Sequence, residues 1–107
     1  MFNLFKKHTM DQDKAFEALK LDKHITLLDV RTRIEFKSGH IDRSINLPLS
    51  ELQIKVEKLY PMKDKKFFIV CQSGARAADA CHIMKELGYT DVVSIGGVST
   101  WNHGLKH

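Results

Sequence analysis

Residues 67–81 read FFIVCQSGARAADAC and contain three patterns in succession. The apolar run that ends at Cys71 predicts a strand buried on both faces of a sheet. Helical spacing then relates five residues before Gly88, a residue type that favours a helix end: Ala77, Ala80, Cys81, Met84 and Leu87. Between the two elements lies CQSGAR, which predicts a tight turn. A strand that leads through a short turn into a helix is typical of α/β proteins.

The same alternation of strands and helices extends over the rest of the chain. Apolar runs at 25–30 (ITLLDV), 44–48 (SINLP) and 92–95 (VVSI) predict further strands. Capping patterns predict the starts of three helices: Thr9 with Gln12, Thr32 with Glu35, and Ser50 with Gln53. The second of these helices should stop near Gly39 and the third near Leu59. We therefore expect an α/β fold with a central, mainly parallel sheet flanked by helices on both faces.

The composition is that of an ordinary globular protein. The chain has 107 residues, 43% apolar and 28% charged, which suits one domain over residues 1–107. Its net charge of +4 favours anionic partners, but basic and aromatic residues do not interleave, so we expect no nucleic acid. No apolar run reaches the roughly 18 residues of a membrane span, and Lys6 and Lys7 interrupt any signal-peptide core. We expect a cytoplasmic protein with no membrane partner.

Cysteine and histidine usage argues against a disulfide scaffold and against a metal site. The chain has two cysteines, Cys71 and Cys81, which are too few for a disulfide framework. Its six histidines are scattered, and no CxxC pattern for zinc occurs. We therefore expect no metal and no cofactor.

Three of the predicted strands end on residues that suit a binding site. Asp29 ends one strand, Cys71 ends another, and Gly96 and Gly97 end a third. The carboxyl ends of parallel strands lie along one edge of a sheet, where α/β proteins bind their ligands. We expect these residues to share one rim, with the thiol at the position where such a sheet places its chemistry.

The CQSGAR turn can stabilise an anion at its centre. Backbone N–H groups and the partial positive charge of the following helix N-terminus would point there. Gly74 permits backbone angles that a side chain blocks, and Arg76 offers a planar donor fork. A strand-end cysteine is by itself more often a packing residue. This turn favours the thiolate, the reactive form of cysteine, so we interpret Cys71 as a nucleophile.

Three separated motifs carry a family resemblance. They are LLDVRTRIEFKSGHIDRSINLPL at 27–49, CQSGAR at 71–76 and IGGVSTW at 95–101. The chain resembles, over roughly 8–105, the single-domain rhodaneses, or rhodanese-like sulfurtransferases, whose motifs occur in this order. The resemblance implies a rhodanese-like fold. It also implies sulfur transfer from thiosulfate or a similar small anionic donor to a nucleophilic acceptor, through a persulfide on Cys71.

The resemblance implies roles for the residues around the thiol. An anion-binding loop would consist of Gln72, Ser73, Gly74, Ala75 and Arg76. Within this loop, Arg76 would also meet the anionic donor. Asp29, Arg31 and Glu35 match charged positions of the first motif and would support the rim. We expect Arg31 and Glu35 to pair with each other, because they lie four residues apart at the start of a helix.

Other matched positions are interpreted as structural. His40 would join loops through hydrogen bonds of its ring, and Trp101 would pack beneath the closing turn. Gly96 and Gly97 would allow close backbone approach. Ala77 departs from the family, since many relatives have Ser or Thr directly after the loop arginine. The missing hydroxyl donor bears on substrate preference rather than on the chemistry.

Two other functions remain open from the sequence. One is a protein-to-protein persulfide relay, in which a protein supplies or accepts the sulfur at the accessible loop. The other is phosphatase or arsenate-reductase chemistry, whose C-x5-R loop encloses a tetrahedral oxyanion. This chain has C-x4-R, one residue shorter. The shorter loop should form a narrower cradle that suits a single sulfur atom.

The two cysteines should differ in their reaction with thiosulfate. One sulfur atom should add to Cys71 and none to Cys81, which lies on the apolar helix face and is interpreted as a core residue. A resolving role for Cys81 is disfavoured, because about 10 Å of helix separates it from Gly74 and a disulfide needs Cα atoms within about 7 Å. Peptide mapping by mass spectrometry would locate the sulfur, and its presence on Cys81 would contradict this assignment.

Overall fold

The chain folds around a parallel sheet. The computed structural model describes residues 9–107, in which four parallel strands lie in the order β2-β1-β3-β4. The strands are β1 (Thr26–Asp29), β2 (Ile45–Asn46), β3 (Phe67–Cys71) and β4 (Val92–Gly97). The helices are α1 (Gln12–Leu21), α2 (Arg33–Lys37), α3 (Leu49–Leu59) and α4 (Ala75–Glu86), and a 3₁₀ turn over Val98–Thr100 follows β4. The predicted α/β class and parallel sheet are confirmed.

Strand β3 lies between β1 and β4 and is buried on both faces. Phe67, Ile69 and Cys71 pack with α3 and α4 on one face, and Phe68 and Val70 pack with α1 on the other. Successive side chains of a strand point to opposite faces, so one apolar run supplies both cores. Burial of each large apolar side chain contributes about 1.5–3 kcal/mol. Helices cover both faces of the sheet, as predicted.

The N-cap of helix α1 is Asp11 rather than the predicted Thr9. The helix begins at Gln12, and the carboxylate of the N-cap residue Asp11 accepts from two backbone N–H groups of the first turn. Thr9 instead forms a parallel bridge with Ser94 of β4. The predicted Thr9 cap is therefore wrong. Extended pairing with β4 holds Thr9 outside the helix, and Asp is a strong cap in its own right.

The other two capping predictions have different outcomes. Helix α3 begins at Leu49 with Pro48 as its N-cap, so the predicted start at Ser50 is wrong. The fixed φ of proline favours the entry into a helix at this point. The capping box between Thr32 and Glu35 is confirmed, since each side chain accepts from the backbone N–H of the other residue.

Two observations bear on the chain's N-terminus and on membranes. The interruption of a signal-peptide core by Lys6 and Lys7 concerns residues 1–8, which lie outside the described residues. Among residues 9–107, no helix is long and apolar enough to cross a bilayer. The longest helix there, α4, has 12 residues, whereas a span needs about 20.

Strand β4 brings its two glycines against the turn after β3. The register between the two strands shifts so that Cys71 lies opposite Gly97. A Cβ atom on Gly97 would lie 2.1 Å from the carbonyl oxygen of Gln72 and 2.6 Å from the amide nitrogen of Ser73. Gly96 has a φ of 87°, in the region that glycine adopts readily. The predicted close approach of backbone is confirmed at Gly97, whereas a Cβ atom on Gly96 would meet side-chain atoms at 3.5 Å.

The substitution Gly97→Ala should destabilise the protein by about 3 kcal/mol. The added methyl group would meet backbone atoms of the turn, which cannot move without disturbing the sheet. Urea unfolding measures this difference. Ser99→Ala is the control, because it trims an exposed side chain in the same region and should change stability by less than about 0.5 kcal/mol. A Gly97→Ala protein as stable as wild type would refute the packing argument.

Candidate active site

The Cys71 thiol lies within the turn that residues 71–76 form. Cys71 ends β3 and is 1% exposed. The backbone N–H of Gly74 donates to its Sγ atom, with an N···S distance of 3.0 Å. Gly74 has a φ of 111° and is the N-cap of α4, and this left-handed conformation strains any residue with a side chain. The turn therefore folds back so that a backbone donor points at the sulfur.

Helix α4 adds partial positive charge at the same place. It has 12 residues and begins at Ala75, directly after the N-cap. The first N–H groups of a helix have no acceptor inside it, and its aligned dipoles amount to roughly half a positive charge at that end. Backbone N–H groups and the N-terminus of α4 are therefore directed at the Cys71 sulfur, and Arg76 lies near enough to interact with it electrostatically.

The fork of Arg76 is bound by Glu35. Its Nη1 and Nη2 donate to Oε1 and Oε2 of Glu35 at 2.7 and 2.9 Å. Glu35 also accepts from the backbone N–H and the hydroxyl of Thr32. Hydrogen bonding by the Arg76 guanidinium, followed by the bond from the Thr32 backbone, lowers the pKa of Glu35 to about 2. The pair is ionised at neutral pH, and its opposite charges offset one another near the thiol.

Asp29 and Arg31 form a second ion pair, which is buried. The Nη2 atom of Arg31 donates to Asp29 Oδ2 at 2.8 Å and to the carbonyl of Gly39 at 2.7 Å, and its Nε donates to Asp29 Oδ1 at 3.0 Å. The predicted pairing of Arg31 with Glu35 is therefore wrong. Asp29 lies two residues before Arg31 at the end of β1 and takes its guanidinium, whereas Glu35 faces Arg76.

The predicted site residues gather at the carboxyl edge of the sheet. Asp29 and Cys71 end the neighbouring strands β1 and β3, and Gly97 lies opposite Cys71 at the end of β4. Arg31 links the rim to the turn, since its Nη1 lies 3.5 Å from Oε1 of Gln72. The remaining turn residues differ in exposure: Gln72, Ser73 and Ala75 are exposed, and Gly74 and Arg76 are partly buried.

A family model described as a rhodanese-like domain matches residues 12–103. The chain belongs to this family. A sulfurtransferase of Allochromatium vinosum is 32% identical over 98 residues, which cover 90% of each chain. A thiosulfate sulfurtransferase of Escherichia coli is 31% identical over 71 residues, which cover 66% of this chain and 68% of that protein.

Further comparisons extend the similarity of this rhodanese-like domain. A putative sulfur carrier protein of Bacillus subtilis is 30% identical over 81 residues, which cover 75% of this chain and 43% of that protein. A human single-domain sulfurtransferase has a similar solved structure, with a TM-score of 0.72 at 27% identity. That match covers 82% of this chain and 88% of the human chain.

The other matched positions of the rhodanese-like domain have structural surroundings. The His40 ring stacks on Phe36, with centroids 3.8 Å apart, and its Nδ1 lies 2.9 Å from the Phe36 carbonyl oxygen. Trp101 is buried and meets the ring of Phe16 edge-on. Ala77, which departs from the family pattern, is fully buried, so its methyl group occupies core space beneath the turn.

Cys81 is a core residue of the rhodanese-like domain. It is 8% exposed and packs in the cluster between the sheet and helices α3 and α4. Burial raises the pKa of its thiol to about 11. The thiolate is the nucleophilic form of cysteine, so burial disfavours reaction at Cys81. The prediction that Cys81 contributes packing is confirmed.

A cleft of about 610 Å³ lies beside the turn and involves a residue that the sequence patterns missed. Its walls include Ser73, Gly74 and Ala75 on one side and Gln12 on another. Gln12 was assigned to a capping pattern, but its side chain contacts β4, more than 80 residues away. Local spacing contains no signal for that contact. Within residues 9–107, no three His, Cys, Asp or Glu side chains cluster as metal ligands would.

The Glu35–Arg76 pair should make the free energy of unfolding depend on pH in the acid range. The pKa of Glu35 is about 2 in the folded protein against an ordinary value of 4.5. The stabilisation that the ionised Glu35 carboxylate provides is therefore complete above about pH 5 and is lost as pH falls through about 2. Glu35→Gln should lower the free energy of unfolding by about 1 kcal/mol at neutral pH. The difference from wild type should shrink as the pH falls from about 5 towards 2.

Urea unfolding of both proteins at several pH values measures this difference. Glu17→Gln is the matched control, because Glu17 forms an exposed pair with Lys20 at 3.3 Å and lies far from the turn in sequence. Its effect should be small at every pH. A Glu35→Gln effect that is equally large in acid and at neutral pH would contradict the role assigned to the ionised carboxylate.

Proposed function

We propose that this rhodanese-like domain is a sulfurtransferase that takes a sulfane sulfur from thiosulfate or a similar anionic donor. The observation that carries the proposal is the hydrogen bond from the Gly74 N–H to Cys71 Sγ, 3.0 Å long, at the N-terminus of α4. This arrangement directs a backbone donor and a helix N-terminus at the sulfur that would accept the transferred atom. Relatives named as a sulfurtransferase and as a thiosulfate sulfurtransferase support the same chemistry.

The proposed reaction has two half-steps. In the first, the Cys71 thiolate attacks the outer sulfur of thiosulfate, a new S–S bond forms, and sulfite leaves with the electron pair of the broken S–S bond. In the second, a nucleophilic acceptor attacks the outer sulfur of the Cys71 persulfide and releases the Cys71 thiolate. Covalent catalysis of this kind gives ping-pong kinetics.

Backbone groups, rather than Arg76, would stabilise the charge on sulfur. The fork of Arg76 is occupied by both carboxylate oxygens of Glu35. The Gly74 N–H and the α4 N-terminus remain as positive ends directed at Cys71. Preorganised donors of this type contribute strongly, since loss of one can slow a reaction by roughly 10²–10³-fold. Arg76 would then fix the turn to α2 rather than bind the donor.

Transfer of the sulfur to another protein is a second candidate. The turn exposes Gln72, Ser73 and Ala75, so a macromolecule can approach it. The similarity to a putative sulfur carrier protein favours such an acceptor. Phosphatase chemistry has less support, because the arginine that would hold a phosphate group is bound by Glu35.

The substitution Cys71→Ser should abolish sulfur transfer in a folded protein. A serine hydroxyl can accept the Gly74 hydrogen bond but cannot form a persulfide, so release of sulfite from thiosulfate should fall by roughly 10³-fold or more. The matched variant is Cys81→Ala, which removes the buried thiol. It should retain most of the transfer rate and cost about 1 kcal/mol of stability.

Steady-state kinetics with thiosulfate, beside circular dichroism of both variants, measure these effects. A Cys71→Ser protein that releases sulfite at a rate comparable to wild type would refute the nucleophile assignment. A Cys81→Ala protein that is folded yet inactive would show that the buried thiol takes part in transfer.

A further inference from the structure

Gln12 connects the first helix to the turn that follows β4. Its Nε2 donates to the carbonyl oxygens of Ile95 and Gly97 at 2.7 and 2.9 Å. Its Oε1 accepts from the hydroxyl of Thr100 at 3.1 Å. The side-chain amide therefore bonds two backbone carbonyls through its nitrogen and one side-chain hydroxyl through its oxygen, all within residues 95–100. This stretch is the segment that backs the Cys71 turn.

The backbone that Gln12 holds is in direct contact with the start of the Cys71 turn. A Cβ atom on Gly97 would lie 2.1 Å from the Gln72 carbonyl oxygen, so the two backbones touch at this point. The N–H of Ser99 donates to the same Gln72 oxygen at 3.1 Å. Two residues after Gln72, the N–H of Gly74 donates to Cys71 Sγ. A shift of Gly97 would therefore displace Gln72, which lies two residues before the Gly74 donor.

We propose that Gln12 is a positioning residue for sulfur transfer. By tying the carbonyls of Ile95 and Gly97 to α1, it fixes the surface against which the Cys71 turn is set, and so it keeps the Gly74 N–H aimed at the sulfur. The inference rests on the proposed function for its kinetic consequence. The positioning itself depends only on contacts in the folded chain.

The position of Gln12 follows from the chain that precedes it. Thr9 forms a bridge with Ser94, and the N–H of Met10 donates to the Ser94 carbonyl at 2.9 Å. This pairing places the first residue of α1 over the carboxyl end of β4. A side chain that donates two hydrogen bonds and accepts one is then required, and only an amide of this length combines both functions without a charge.

Replacement of Gln12 by leucine tests the proposal most directly. Gln12→Leu keeps the size of the side chain and removes its hydrogen bonds, so sulfur loading of Cys71 from thiosulfate should slow by roughly 10-fold or more, as misplacement of catalytic groups does. The loss should fall on the rate constant for loading rather than on KM. The control is Gln53→Leu, an exposed position on α3. It should load sulfur at the wild-type rate.

Replacement of Gln12 by glutamate adds a test that a purely structural role would not pass. An ionised carboxylate would face the Ile95 and Gly97 carbonyls and repel them, whereas a protonated carboxyl can donate to one. The loading rate of Gln12→Glu, divided by that of wild type, should therefore rise as pH falls from about 8 to about 5. The same ratio for Gln53→Glu should stay flat. A flat ratio for a folded Gln12→Glu protein would overturn the proposal.

Amide hydrogen exchange provides a readout that needs no sulfur donor. The Gly74 amide should exchange faster in Gln12→Leu than in wild type, and it should be unchanged in Gln53→Leu. Unchanged exchange and unchanged loading in a folded Gln12→Leu protein would refute the positioning role. If wild type itself takes no sulfur from thiosulfate, the proposed function fails, and hydrogen exchange still decides the role of Gln12.

A milder variant keeps the proposal testable should Gln12→Leu not fold. Thr100→Val retains the shape of the side chain and removes the hydroxyl that donates to Gln12 Oε1 and lies 3.3 Å from the Gly97 carbonyl oxygen. It should slow loading by about 3-fold and raise Gly74 exchange, because the amide loses one of its three anchors. Wild-type values for both measurements in Thr100→Val would overturn the inference.

Discussion

Burial of β3 on both faces determines where the Cys71 thiol lies. Its alternating side chains enter two separate cores, so the strand cannot slide or rotate without exposing one of them. Cys71 is the last residue of that strand and is itself 1% exposed. Burial of apolar side chains thus fixes the position of the sulfur, and hydrogen bonds determine the conformation of the turn after it.

The electrostatics around the sulfur depend on backbone more than on side chains. Both arginines of the site are matched by a carboxylate: Arg31 by the buried Asp29, and Arg76 by Glu35. Ions as deeply buried as Asp29 and Arg31 lose much hydration energy, which their mutual hydrogen bonds and the Gly39 carbonyl offset. What remains directed at Cys71 is the Gly74 N–H and the N-terminus of α4. These donors are fixed by the fold, and in the proposed sulfur transfer they would need no reorganisation as charge develops on sulfur.

Sequence patterns predict the parts of this site that local spacing controls. The strand that ends at Cys71, the helix after it and the packing role of Cys81 all follow from apolar periodicity. The close approach at Gly97 was also predictable, because two adjacent glycines at a strand end indicate a crowded backbone. Patterns of this kind reflect contacts within one turn or one strand.

The errors arise where distant segments compete for the same group. Thr9 fits a cap in sequence, but pairing with Ser94 takes it away and leaves the role to Asp11. Glu35 lies four residues from Arg31, yet it binds Arg76, 41 residues away. Gln12 reaches carbonyls 83 and 85 residues away. Such contacts depend on how the sheet brings helices together, and no single stretch of sequence contains them.

The length of the turn affects which group its arginine can bind. Helix α4 begins at Ala75, so Arg76 already lies in its first turn and its side chain leaves the helix towards α2 and Glu35. One more residue before the arginine would rotate its direction by about 100° around the helix axis. The fork would then leave Glu35 and become available to an oxyanion. The C-x4-R spacing of this turn thus leaves its arginine paired with Glu35, and the donor that points at the Cys71 sulfur is a backbone N–H.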